Sequence, residues 1–147
     1  MMKNIIMLIF MLVVSGGTFA SECKVVVNGN DMMQYDATSI SVGKNCDNFE
    51  ITLNHSGQLD KAIMGHNIVI VPTESFNDII GIINMDAGID NGFLPEDNRI
   101  IAKTAMIGGG ESTSITFATS QLNPGTEYTF FCSFPGHYGI MRGKLTI

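Results

Sequence analysis

The sequence predicts an all-β protein, a sandwich or barrel of short strands. Three observations carry that reading: apolar residues recur at every second place in several short runs, turn residues separate the runs, and only one stretch has helical spacing. The 147 residues suit one ordinary domain rather than two.

Cys23 to Val27 opens the first strand, and Ser39-Ile40-Ser41-Val42 makes a second. Phe49-Glu50-Ile51-Thr52-Leu53 alternates, so one of its faces is buried and the other wet. His66 to Val71 reads as a more fully buried strand. Ser112 to Phe117 alternates again, and Tyr128 to Cys132 and Met141 to Ile147 are the last two strands. Asn28-Gly29-Asn30, Ser56-Gly57 and Asn123-Pro124-Gly125 are the turns between them. Between Thr73 and Asp97 the pattern changes: Phe76, Ile79, Ile80 and Ile83 predict a short helix and a Gly-containing loop inserted outside the sheets.

Residues 1–20 stand apart from this domain, which is expected to span 21–147. Lys3 precedes the unbroken apolar run Ile5–Val14, and Thr18-Phe19-Ala20 follows it, the anatomy of a secretory signal cleaved after Ala20. The run is shorter than the roughly 20 residues a spanning helix needs, which argues against an anchor, and from Ser21 no second long apolar stretch follows, so no membrane insertion is expected after cleavage. Losing Lys3 takes the formal charge from -6 to -7. Such an acidic chain repels nucleic acid and anionic lipid.

Export places the three cysteines in an oxidising compartment. Cys23 and Cys46 both lie in the N-terminal part and are expected to pair, leaving Cys132 over. A leftover cysteine in an exported protein is a reactive thiol, an intermolecular bridge or a metal ligand.

Cys132 ends one strand, Met141 begins another, and His137 lies in the loop between them. That short loop gathers a thiolate, an imidazole and a thioether at one pole. His66, after Met64-Gly65, completes the set if its strand end lies beside the loop. Structural zinc favours four Cys or His ligands, and the loop lacks the carboxylates that magnesium or calcium would use. Two His and one Cys with a weak axial Met is the blue-copper set. Taken singly, a buried Cys is a small hydrophobe, a His beside a turn is polar surface and a Met fills core. An unpaired Cys, a Pro-Gly-His turn and a Met within ten residues of an exported chain are poorly explained by three such coincidences.

At these residues the chain resembles the azurins, bacterial members of the cupredoxin family. The C-x4-H-x3-M spacing of Cys132, His137 and Met141 matches, as do Met64-Gly65-His66-Asn67, Ser21-Glu22-Cys23, Gly29-Asn30-Asp31, Arg99-Ile100-Ile101-Ala102 and Ile107-Gly108. The resemblance spans essentially the whole domain and implies a two-sheet Greek-key β-sandwich. It implies one type I copper held by His66, Cys132 and His137, with Met141 and the Gly65 carbonyl as distant contacts. Asn67 would fasten the two ligand loops together, and the Phe134 amide would face the sulfur. The Cys23–Cys46 pairing is also the family's.

Met33, Leu59, Met64, Pro135 and Gly136 would form an apolar docking patch where His137 reaches the surface. Without the resemblance they would read as loose core or scattered exposed apolars. Ile68 stands where many azurins place a buried Trp. His55 matches a family histidine that can titrate, and a satisfied half-buried histidine is at least as good a reading.

The function implied is a periplasmic, monomeric one-electron carrier of a Gram-negative bacterium. Its expected partners are redox proteins such as a c-type cytochrome or a copper nitrite reductase. A copper-buffering or copper-delivery protein is the alternative. Catalysis is not expected, because an oxidase or reductase needs further copper centres and the chain has only three histidines.

Overall fold

The computed structural model describes residues 23–147. The expected signal segment, 1–20, lies outside the described residues. Among the described residues, eight strands form two sheets. The first has the order β1 (Lys24–Gly29), β3 (Asn48–His55), β6 (Ser112–Ala118); β1 runs parallel to β3, and β6 antiparallel. The second has the order β2 (Ser39–Ser41), β8 (Arg142–Thr146), β7 (Tyr128–Phe131), β4 (Val69–Pro72), β5 (Ala102–Lys103). There β2 is parallel to β8 and the other pairs are antiparallel. This is the sandwich the alternation implied. Among the described residues no helix is long and apolar enough to cross a membrane.

The core lies between the sheets. Val27, Phe49, Ile51, Leu53 and Phe117 of the first sheet meet Ile40, Ile70, Tyr128, Phe130 and Leu145 of the second, with Ile68 beside them. Each buried aliphatic or phenyl side chain contributes about 1.5–3 kcal/mol through surface removed from water. β3 buries every second residue, as its alternation requires. Cys23 and Cys46 are disulfide-bonded across a sequence separation of 23, and this clips the start of β1 to the chain entering β3.

β4 and β7 are buried on both faces: β4 is an apolar run, and in β7 the one polar side chain, Thr129, shares a hydrogen bond with Thr73. Their second face is covered by the insertion. Its helix, α2 (Phe76–Gly81), with Leu94 packs on Val69, Val71 and Phe131 to form a second apolar cluster. The insertion therefore lies outside the sheets but forms a layer of its own against one of them.

The structure corrects several details. The buried strand begins at Val69 rather than His66; His66 sits in an isolated antiparallel bridge with Ile107. The last strand starts at Arg142, because Met141 N still donates to the His137 carbonyl in the preceding turn. A one-turn helix, α1 (Lys61–Met64), precedes Gly65 and was not predicted, being too short for periodicity to show. The two-residue β5 is likewise too short for alternation to show.

Candidate metal centre

His66 and the Cys132–Met141 loop come together at one pole of the sandwich. His66 is fixed by paired backbone bonds with Ile107, both 2.9 Å. The loop is folded on itself: His137 N donates to Phe134 O (2.9 Å), Met141 N to His137 O (2.8 Å) and Cys132 N to Met141 O (3.0 Å). His66, Cys132 and His137 are buried, and their candidate donor atoms all lie within 4.8 Å of one another. Cys132 Sγ is 3.6 Å from His137 Nδ1 and 4.0 Å from His66 Nδ1. The Gly65 carbonyl lies 3.7 Å from the same sulfur. Met141 is fully buried.

The protonation states suit a metal. His66 Nε2 donates to the Asn30 carbonyl at 2.8 Å. That carbonyl can only accept, so the proton sits on Nε2 and the Nδ1 lone pair faces the sulfur. Burial holds His66 below its ordinary value and lowers His137 to about 4, so both rings are neutral near pH 7. Burial pushes the Cys132 thiol up to about 11, against the opposing pull of the Asn67 and Phe134 backbone amides and the Tyr35 hydroxyl. A metal cation held by the two imidazoles would displace that thiol proton, because coordination favours the thiolate. The sulfur is the only free cysteine among the described residues.

The surrounding bonds hold the two segments in register. Asn67 Nδ2 donates to Ser133 Oγ at 2.9 Å, and Asn67 Oδ1 accepts from Ser133 N at 2.9 Å. Ser133 Oγ donates onward to the Gly92 carbonyl at 2.6 Å. The Tyr35 hydroxyl donates to the Asn67 carbonyl. His55 is buried and stacks on His66 with ring centres 4.2 Å apart. Its Nδ1 accepts from Gly57 N (3.1 Å) and its Nε2 donates to Met64 O (2.8 Å). Both nitrogens are thus occupied in one neutral tautomer, a satisfied buried histidine.

Tyr35, Ser133, Gly92 and Phe93 carry no signal in the sequence, and Asn30 reads there as a turn and family residue, not as the partner of His66. The residues after Cys132 were in view, but nothing in their spacing shows that Ser133 faces Gly92. Of the expected patch, Leu59 and Gly136 are exposed, while Met33, Met64 and Pro135 are half-buried. Ile63 and Ile140, from the same two segments, are more exposed, at 64% and 61%.

A sandwich with a buried two-imidazole, one-thiol cluster beside a methionine defines a class, the cupredoxin-like copper proteins. Residues 21–147 match the family described as copper binding proteins, plastocyanin/azurin family. The chain belongs to that family, and copper is the metal its donor set fits. It is similar to the azurin of Pseudomonas aeruginosa, 40% identical over 150 aligned positions covering 100% of this chain and 99% of that one. It is 47% identical to the azurin of Alcaligenes faecalis, over 85% of this chain and 98% of that one. Among solved structures it resembles the azurin Az-iso2 of the methylotroph Methylomonas sp. strain J, with TM-score 0.79 and 42% identity over 84% of this chain and 96% of that one.

Proposed function

We propose that the chain is a diffusible one-electron carrier whose copper is held closely by His66 Nδ1, Cys132 Sγ and His137 Nδ1, with the Met141 sulfur and Gly65 carbonyl oxygen as weak ligands. The observation that carries this reading is the buried cluster itself: three donor atoms within 4.8 Å, with the His66 lone pair turned inward by its bond to Asn30. Copper bound there supplies a one-electron Cu(I)/Cu(II) couple.

The protein supplies rigidity. The ligand-bearing segments are tied by backbone bridges and by the Asn67–Ser133 pair, so the donor set changes little with its charge. Burial keeps water from the sulfur and the rings neutral. His137 sits at the pole with 3% of its surface exposed, directly after the half-buried Pro135 and the exposed Gly136. That gives electrons a short route out through an apolar rim that includes Met33, Leu59 and Met64. A partner such as a c-type cytochrome or copper nitrite reductase would dock there. Residues 1–20 direct export to the periplasm, a reading supported by the apolar run Ile5–Val14 and by a family match that starts at residue 21. The domain works as a monomer. His55, the remaining histidine, has both nitrogens bonded to backbone, which leaves no free imidazole and favours a carrier over a catalyst.

The test is the absorption and EPR spectrum of the copper-loaded domain. A strong visible thiolate-to-copper band is expected, and Cys132→Ser is expected to abolish it. Colour surviving that change would refute the ligand assignment. Rapid copper transfer to acceptors with sluggish electron transfer would favour the buffering or delivery reading.

A further inference from the structure

His66 and His137 are held in different ways. His66 is oriented by its Nε2 bond to Asn30. Among the described residues no hydrogen bond restrains His137 Nε2, so packing must set that ring. Phe134 lies over it, 4.5 Å between ring centres at 30°. Phe93, from the insertion, stands edge-on to Phe134 at 5.5 Å and 89°.

Phe93 is strained to reach that position. Its φ is 58°, left-handed, directly after Gly92 at 65°. A residue with a Cβ resists this backbone because the Cβ crowds the following carbonyl. The turn is nevertheless locked: Phe93 N donates to Gly88 O and Asn84 N to Phe93 O, both 2.9 Å. Glycine would relax the backbone, so what phenylalanine adds is its ring. That ring is 5% exposed yet takes no part in the apolar cluster under α2, which its neighbour Leu94 joins. Leu94 fastens the insertion to the sheet, and Phe93 faces the copper loop. Strained non-glycine residues that the surroundings hold in place cluster at functional sites.

We propose that Phe93 is a positioning residue for the copper centre: through Phe134 it braces the His137 imidazole, which makes the insertion a third wall of the site. This rests on His137 being a copper ligand. The Ser133–Gly92 bond anchors the same turn to the loop, so brace and loop move together.

The test uses the copper-loaded domain and its Phe93→Ala, Phe93→Tyr and Leu94→Ala variants. Three quantities are measured: the rate of copper loss to a soluble chelator, the reduction potential and the unfolding midpoint. Phe93→Ala is expected to lose copper about tenfold faster, the lower end of what outer partners of metal ligands contribute, and to shift the potential. Phe93→Tyr keeps the ring and is expected to behave as the parent. Leu94→Ala is expected to lower the unfolding midpoint with copper loss and potential unchanged, which separates bracing from stability. Should Phe93→Ala fail to fold, Phe93→Leu keeps apolar volume without a ring and is expected to lose copper faster than the parent. A folded Phe93→Ala or Phe93→Leu that matches the parent in copper loss and potential overturns the proposal. A parent protein without the thiolate-to-copper band overturns the ligand assignment and this inference with it.

Discussion

Replacing Asn67 with alanine tests the clamp between the segments that carry His66 and Cys132. The side chain is fully buried and makes two bonds that alanine cannot. Losing Nδ2 removes the bond to Ser133 Oγ, which keeps its bond to the Gly92 carbonyl, a net loss of about 1 kcal/mol. Losing Oδ1 leaves the buried Ser133 N–H without its partner, a penalty of about 1–3 kcal/mol. The Tyr35 bond goes to the Asn67 backbone and survives. The metal-free, disulfide-intact protein should thus lose about 2–4 kcal/mol. For a domain of this size that lowers the melting temperature by on the order of 10 °C. Asn54→Ala is the control: Asn54 also makes two side-chain bonds, to Asn28 and Ser112, but it is half-buried, so water can reach the groups left behind. It should cost about 1 kcal/mol, less than Asn67→Ala, because no fully buried group is left unpartnered. Denaturant unfolding of both variants decides the matter. An Asn67→Ala variant no less stable than Asn54→Ala would refute the view that burial gives this clamp its strength.

Three further outcomes are expected. Unfolded imidazoles titrate near 6.5, whereas His137 is held at about 4 and His66 is also lowered. Between those values the unfolded chain binds more protons, so the metal-free protein loses stability as pH falls from about 6.5 toward 4; His137→Gln should flatten the pH dependence of the denaturation midpoint, and an unchanged slope would contradict this. Replacing both Cys23 and Cys46 with serine opens a loop of sequence separation 23, which should cost about 3 kcal/mol in unfolding measurements and leave the position of the copper band unchanged. A Cβ at Gly29 would lie 2.8 Å from His66 Cδ2 and 3.5 Å from Met141 Cε; Gly29→Ala should therefore weaken copper binding about tenfold in chelator competition, and parent-like affinity would show that the ring has room to move.

The strands were legible because alternation is a local property: Phe49, Ile51 and Leu53 announce a buried face without reference to anything distant. The loop with Cys132, His137 and Met141 was legible for the same reason, since its chemistry fits within ten residues. The apolar run of β4 was legible as buried, but not what buries its second face or that of β7. Only the packed insertion answers that, with Val69, Val71 and Phe131 under α2.

What the sequence by itself determined is a β-sandwich pattern, a pair of cysteines expected to bond, and a loop carrying soft ligands around a leftover thiol. The tertiary structure decided which groups meet that thiol. His66 arrives through a bridge to Ile107, its ring is turned by Asn30, and Tyr35 meets Asn67 across 32 residues. Ser133 meets Asn67 across 66 residues, and Phe93 reaches Phe134 only by adopting a left-handed backbone. Periodicity is set by neighbours along the chain. These contacts depend instead on sheet register and on how loops from separate strands fold over one pole, which no local pattern encodes.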